Sequence, residues 1–127
     1  MPAKKILVVD DEETTLTLVT NMLTEQGYEV DQAKAGEQAI EKAEQFFPDL
    51  ILMDIVLPDM NGAEAVQTIH ENPKTKDIKI IFFSGILDRK ESDPDLHRIK
   101  AGNIYYDVLP KPINRNELLN KISRALI

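Results

Sequence analysis

The sequence predicts an α/β fold in which a doubly wound, five-stranded parallel sheet with the strand order 2-1-3-4-5 is covered by five helices. Short apolar runs of strand length alternate with longer segments whose apolar residues recur every three or four positions. The inner runs are apolar throughout, which is typical of parallel strands buried on both faces. The second run alternates weakly, as an edge strand does, and right-handed crossovers then favour this strand order.

The strands are predicted from apolar runs that end at polar or turn-forming residues. They span residues 5–9, 28–31, 49–53, 78–83 and 104–109. The helices are predicted to span residues 13–26, 36–46, 63–70, 94–102 and 114–126. Gly27 is placed to end the first helix and Gly102 the fourth, which Pro94 begins. Asn114 and Glu117 predict a capping box at the last helix. The second helix is expected to direct four residues inward: Ala39, Ile40, Ala43 and Phe47.

The composition is that of one globular domain, which we expect to span residues 1–127. The net charge of −7 argues against a nucleic-acid partner, because such partners bind basic surfaces. The lack of Cys excludes disulfide scaffolds, thiolate zinc sites and cysteine nucleophiles. No apolar stretch has the length of a secretory signal or a membrane span, so we expect a cytoplasmic protein without membrane insertion.

The acidity is unevenly distributed along the chain. Residues 1–62 carry 4 Lys, no Arg and 13 acidic residues, whereas residues 63–127 carry 11 basic and 9 acidic residues. The first half can therefore hold a cation site, and the nearly neutral second half suits a separate partner surface.

Polar residues follow four of the predicted strands, at the sheet edge where open parallel sheets bind ligands. They are Asp10 and Asp11 after the first strand, Asp54 after the third, Ser84 after the fourth and Lys111 after the fifth. Taken singly, each carboxylate is ordinarily a helix cap, the serine a turn residue and the lysine a solvated charge. Three carboxylates at one edge repel one another unless a cation neutralises them, and Mg²⁺ suits such a site.

These residue types together indicate phosphoryl chemistry. A carboxylate can attack phosphorus to give an acyl phosphate, and Asp54 is the best candidate because it lies alone between the acidic pair and the Ser/Lys pair. A metal ion and Lys111 can offset charge on the phosphoryl oxygens, and the Ser84 hydroxyl can hydrogen-bond one of them.

At this point the sequence resembles the receiver domain of two-component response regulators, a flavodoxin-like fold. The segments that carry the resemblance are ILVVDDE at 6–12, DLILMD at 49–54, LPDMNG at 57–62, Ser84-Gly85 and Lys111-Pro112. It covers essentially the whole chain and is closest in form to stand-alone, chemotaxis-type regulators. The resemblance implies that Asp54 accepts a phosphoryl group from a histidine kinase or phosphotransfer protein, and that the chain catalyses only its own phosphorylation and slow dephosphorylation.

The resemblance also implies the roles of the surrounding residues. Asp11, Asp54 and the backbone carbonyl of Val56 would hold Mg²⁺, with Asp10 acting chiefly through water. Ser84, Gly85 and Lys111 would bind the phosphoryl group, and the Lys111–Pro112 peptide bond would be cis. Phosphorylation would alter binding of a downstream protein, not identified by the sequence, through the face formed by helix 4, strand 5 and helix 5. The chain would act as a monomer or as a phosphorylation-dependent dimer.

Two departures concern this output region. Val108 occupies the position, three before the lysine, at which such domains carry a switch aromatic, and Tyr106 on the same side of the strand is a possible substitute. Ordinary strand packing is the favoured interpretation of both Tyr105 and Tyr106. The stretch from Ser84 to Lys111 is also several residues longer than is usual in such domains.

Three other functions fit the sequence less well. A haloacid-dehalogenase-type phosphatase would require Asp-x-Asp after the first strand, where this chain has Asp10-Asp11-Glu12. A flavin or nucleotide site would require a Gly/Ser-rich loop, and these acidic residues would repel its anion. A pseudo-receiver that acts as a phosphorylation-independent scaffold is the stronger alternative, although such domains lack one or more of the residues retained here. The chain is expected to stand alone or to be one part of a larger hybrid protein.

Overall fold

The structure, a computed structural model, describes residues 3–85 and 98–127. In this part of the chain, strands and helices alternate until the last three strands and the C-terminal helix. The elements are β1 (Lys5–Val9), α1 (Glu13–Glu25), β2 (Glu29–Ala33), α2 (Gly36–Phe46), β3 (Leu50–Asp54), α3 (Gly62–Glu71), β4 (Lys79–Ser84), β5 (Arg98–Ala101), β6 (Ile104–Pro110) and α4 (Arg115–Ala125).

The strands form one sheet in the order β2-β1-β3-β4-β6-β5. All neighbouring strands are parallel except β5, which is antiparallel to β6. The predicted order of five parallel strands is therefore confirmed, with β6 as the predicted fifth strand and β2 at the edge. The sixth strand extends the opposite edge.

The prediction of a fourth helix at residues 94–102 is wrong for the part of that range that the structure describes. Residues 94–97 lie outside the described residues, and Arg98–Ala101 form strand β5. Ala101 pairs with Ile104 across a two-residue turn. The first residue of this turn, Gly102, has a φ of 64°. Glycine at that position is typical of the tight turns that join antiparallel strands, so Gly102 turns a hairpin instead of ending a helix. The described residues thus contain six strands and four helices, not five of each.

Alternating residues of the strands build a core on each face of the sheet. On one face, Leu7, Ile51 and Phe82 pack with apolar residues of α2 and α3. On the other, α1 and α4 cover the complementary set, which includes Ile6 and Leu52. This two-sided burial explains why the inner strands are continuously apolar.

The predicted inward position of Phe47 is also wrong. Phe47 ends α2 in the left-handed conformation, with a φ of 52°, and its side chain is 58% exposed. The chain therefore leaves the helical path one residue too early for this ring to reach the core.

Two other helix signals are confirmed: the left-handed Gly27 after the first helix, and the Asn114 cap, which is one half of the predicted capping box. Gly27 has a φ of 91° and follows Gln26, the C-cap residue of α1. The side chain of Asn114 accepts a hydrogen bond from the backbone N–H of Glu117 at 3.1 Å. Within residues 3–85 and 98–127, no helix combines the length and the apolar character needed to cross a membrane.

Candidate functional site

Three aspartates meet at the carboxyl edge of the sheet. Asp10 and Asp11 directly follow β1, and Asp54 is the last residue of β3, the neighbouring strand. Each offers a carboxylate oxygen, and the three oxygens lie within 4.8 Å of one another. Asp10 and Asp54 are buried, whereas Asp11 is exposed. The sheet therefore concentrates negative charge at a point that solvent reaches through Asp11.

The ammonium group of Lys111 lies against this cluster. Its Nζ is 2.7 Å from Asp10 Oδ2, 3.1 Å from Asp54 Oδ2 and 3.4 Å from Glu12 Oε1. The pairing of β4 with β6 brings it there, because the Lys111 backbone N–H donates to the carbonyl of Ser84 at 2.9 Å. The same Nζ lies 5.0 Å from the centre of the buried Phe83 ring, which favours a cation.

Burial and neighbouring charges shift two acid–base equilibria at the site. Burial raises the pKa of Asp54 to about 6, and the negative charge of Asp10 acts in the same direction. The hydrogen bonds from Lys111 and from the Val56 backbone N–H oppose this rise. Burial lowers the pKa of Lys111, but its bonds to Asp10 and Asp54 outweigh burial and raise it. At neutral pH the site therefore holds an ionised Asp54 beside a lysine that stays charged.

The loop after β3 folds back beside Asp54. The Val56 backbone N–H donates to Asp54 Oδ1 at 3.2 Å, and Val56 forms an isolated bridge with Asn61. The Gly62 N–H donates to the Ile55 carbonyl at 2.7 Å. A Cβ on Gly62 would lie 2.1 Å from the Asp54 carbonyl oxygen, so only glycine permits this close approach.

Asp59, in the same loop, is a structural residue that the sequence reasoning missed. Its two carboxylate oxygens accept the N–H groups of Gly36 at 2.8 Å and Glu37 at 2.9 Å, at the start of α2. These two bonds hold the pKa of Asp59 below its usual range, and the bond from the Glu37 N–H has the larger effect. The available signal was Ala35, the N-cap residue of α2, whose side chain cannot cap the helix.

The remaining predicted site residues lie along the same edge. Ser84 is buried at the end of β4, the strand between β3 and β6, and Gly85 follows it at the surface. Within residues 3–85 and 98–127, a Cβ at Gly85 would approach only the Lys111 side chain, at 4.0 Å. The Lys111–Pro112 peptide bond is cis.

Tyr106 and Val108 both point into the core, on the face that α2 and α3 cover. The Tyr106 hydroxyl hydrogen-bonds to His70 Nδ1, and its ring packs edge-on against Phe82 with 5.7 Å between centres. His70 Nε2 lies 3.2 Å from the carbonyl oxygen of Ile78 and must donate to it, so Nδ1 of the neutral ring accepts from Tyr106. Tyr106 is thus tied to the end of α3.

The donor set fits Mg²⁺. The oxygens of the three aspartates are hard ligands of the kind Mg²⁺ prefers, and Asp11 gives the cluster access to water. Asp10 Oδ2 is fully buried, and the Lys111 ammonium, 2.7 Å away, is the cation that faces it among the described residues. A second cation, or its bound water, would satisfy that oxygen.

The chain is similar to known proteins over nearly its whole length. The model of the response regulator receiver domain family matches residues 6–123. The chain is 35% identical over 124 residues to the chemotaxis protein CheY of Thermotoga maritima, covering 95% of this chain and 98% of that protein. It is 40% identical over 124 residues to the alkaline phosphatase synthesis transcriptional regulatory protein PhoP of Bacillus subtilis. That match covers 97% of this chain and 48% of PhoP, so the chain spans about half the length of that relative.

Solved structures agree in fold. The receiver domain of a sensor histidine kinase from Pseudomonas aeruginosa PAO1 superimposes with a TM-score of 0.81 at 30% identity, covering 98% of both chains. That structure has a magnesium ion coordinated in its active site cleft. The flavodoxin-like assignment is therefore confirmed.

Proposed function

The chain belongs to the response regulator receiver domain family, and we propose that it accepts a phosphoryl group on Asp54 from a histidine kinase or phosphotransfer protein. Receiver domains are signalling modules that interact with histidine kinases and with downstream targets. One observation carries the proposal for this chain. Asp54 lies within 4.8 Å of two further carboxylates and 3.1 Å from the Lys111 ammonium, at the carboxyl edge of a parallel sheet.

In the proposed reaction, a carboxylate oxygen of Asp54 forms a bond to phosphorus while the bond from phosphorus to the donor nitrogen breaks. The product is an acyl phosphate on Asp54, and the donor histidine leaves with the electron pair of the broken bond. Lys111 lies near enough to pair with a phosphoryl oxygen, and Ser84 and Gly85 supply a hydroxyl and a backbone N–H beside it. The pKa of about 6 leaves Asp54 ionised, and hence nucleophilic, at neutral pH.

Asp11, Asp54 and the Val56 carbonyl are the proposed Mg²⁺ ligands, with Asp10 acting chiefly through water. Bound Mg²⁺ would supply positive charge that offsets the phosphoryl oxygens. The oxygen donor set and the magnesium ion in the related Pseudomonas receiver domain support this assignment.

The proposed output is a change in the binding of a downstream protein, or of a second copy of the chain. The face predicted from helix 4, strand 5 and helix 5 needs revision, because Arg98–Ala101 form a strand. We place the output surface on β5, β6 and α4, the elements that follow Ser84 and flank Lys111.

Intact mass spectrometry tests the phosphorylation directly. Wild-type protein incubated with acetyl phosphate and Mg²⁺ should gain the mass of one phosphoryl group, and EDTA should abolish the gain. Asp54→Ala should gain nothing. The control Asp77→Ala, which removes an exposed carboxylate before β4, should behave as wild type. A gain that survives in Asp54→Ala, or none in wild type, would overturn the proposal in favour of a phosphorylation-independent scaffold.

A further inference from the structure

The loop of residues 55–61, between β3 and α3, carries the Val56 carbonyl that the proposed Mg²⁺ site uses. The Val56 side chain is 62% exposed, so its own packing does not fix the backbone of this residue. The position of the carbonyl must therefore come from contacts elsewhere in the loop. The loop makes such contacts with two helices, α2 and α3.

At its far end the loop is fixed to α3. The Asn61 side chain accepts the Ala63 N–H at 2.7 Å and caps this helix. The Asn61 backbone also forms the bridge with Val56, and Gly62 closes the turn onto Ile55. These bonds join residues close together in the sequence, as is usual where an Asn caps the start of a helix.

In its middle the loop is fixed to α2 by a contact between residues far apart in sequence. Asp59 accepts the N–H groups of Gly36 and Glu37, at 2.8 and 2.9 Å. Met60 lies so close that a Cβ on Gly36 would be 2.3 Å from its Cγ. Ala35, the N-cap of α2, makes no side-chain cap, so Asp59 supplies the cap that the sequence before α2 lacks.

We infer that Asp59 is a positioning residue for the Mg²⁺ site: its carboxylate joins the loop of residues 55–61 to α2 and so holds the Val56 backbone beside Asp54. This inference rests on the proposed function, because it assigns Val56 as a metal ligand. Asp59 touches neither the metal nor the phosphoryl group in this account. It acts through the loop, as outer groups that orient metal ligands do.

The test separates loop positioning from helix stability. Asp59→Ala should weaken Mg²⁺ binding roughly tenfold, the lower end of the effect of removing an orienting group. Asp59→Asn keeps one acceptor oxygen and should have an intermediate affinity. The double variant Ala35→Asp/Asp59→Ala restores a cap to α2 from its own N-cap position, which has the extended backbone a cap needs. It should regain thermal stability but not Mg²⁺ affinity.

Three measurements are needed on each variant, and the first, a thermal melt without metal, shows whether the cap restores stability. Titration calorimetry with MgCl₂ gives the Kd, and hydrogen exchange without metal reports the Gly62 N–H, which closes the loop. Exchange at Gly62 should accelerate in Asp59→Ala and remain fast in the double variant. Glu37→Gln is the matched control: it removes one exposed charge at the same helix end, keeps both N–H donors and should leave the Kd within twofold of wild type.

An unchanged Kd in Asp59→Ala, or a Kd restored by Ala35→Asp, would overturn this inference alone. A comparable loss of affinity in Glu37→Gln would also overturn it, because charge and not position would then be the cause. Wild-type protein that binds Mg²⁺ but takes up no phosphoryl group would overturn the proposed function and leave Asp59 as a positioning residue. Wild-type protein that binds no Mg²⁺ would overturn both.

Discussion

Asp54 combines two properties that oppose each other in a folded protein. The residue is 5% exposed, and burial raises its pKa to about 6, so the ionised form is costly to hold inside the fold. Lys111 reduces that cost without removing it, at 3.1 Å from Asp54 and 2.7 Å from Asp10. The same arrangement leaves a nucleophilic oxygen beside a fixed cation, and phosphoryl transfer needs both.

Gly62 is the residue at which the backbone of this site tolerates least change. Gly62→Ala would place a Cβ 2.1 Å from the Asp54 carbonyl oxygen, a backbone atom that cannot move aside alone. We expect it to lower the free energy of unfolding by about 1–3 kcal/mol, the range for overpacking. Urea denaturation followed by circular dichroism measures this.

Gly85→Ala is the matched control for Gly62→Ala, since among the described residues the added Cβ would meet only the Lys111 side chain, at 4.0 Å. It should unfold within about 0.5 kcal/mol of wild type. Equal effects at the two glycines would show that the close approach at Gly62 relaxes at little cost.

Among the elements, β6 and α3 are linked by the bond between Tyr106 and His70. Tyr106→Phe keeps the ring that packs on Phe82 and removes the hydroxyl that donates to His70 Nδ1. We expect a loss of about 1 kcal/mol in the free energy of unfolding, the typical value of one hydrogen bond. Tyr105→Phe, at a side chain that is 64% exposed, should change it by less than about 0.5 kcal/mol. Equal losses in both variants would contradict a structural role for the Tyr106–His70 bond.

The pattern of apolar residues predicted the helices and strands correctly wherever burial left a clear apolar stripe or a continuous apolar run. It predicted the bounds of α2 and the order of the five parallel strands, because burial on both faces of a sheet leaves a continuous apolar run. It failed at Arg98–Ala101, a short strand with alternating exposure whose polar residues also suit a helix. The two-residue turn at Gly102-Asn103, flanked by Ala101 and Ile104, was the available signal for a hairpin.

The position of the clustered site residues was easier to predict from the sequence than the contacts that hold the neighbouring loop in place. Strand ends in a parallel sheet share one edge, so the topology alone brings Asp10, Asp54 and Lys111 together. Asp59 bonds to Gly36, 23 positions earlier in the chain, and no local pattern encodes that contact. The exposure of Phe47 was missed for a related reason, since the left-handed turn at the end of α2 occurs at the aromatic residue itself.

At the scale of the whole molecule, the charge distribution matches the division between the candidate site and the proposed output surface. Residues 1–62 carry 13 acidic and 4 basic residues and supply Asp10, Asp11 and Asp54. The negative field of this half raises the local concentration of divalent cations, which favours metal binding. The later half supplies Lys111 and the β5, β6 and α4 surface at near-neutral charge.

This distribution leads to a prediction for the folded state as a whole. A ligand that binds only the folded chain stabilises it by about 2.7 kcal/mol at 100 times its Kd, so Mg²⁺ should raise the thermal midpoint by roughly 10 °C for a domain of this size. Asp11→Asn should lose most of that rise, because Asp11 is the exposed carboxylate of the cluster. Asp77→Asn removes the same charge from the stretch before β4 and should keep it. Scanning calorimetry in MgCl₂, with NaCl at equal ionic strength as reference, distinguishes site binding from screening of the net charge of −7. Equal rises in the two variants would show that screening of the acidic half, and not a metal site, stabilises the fold.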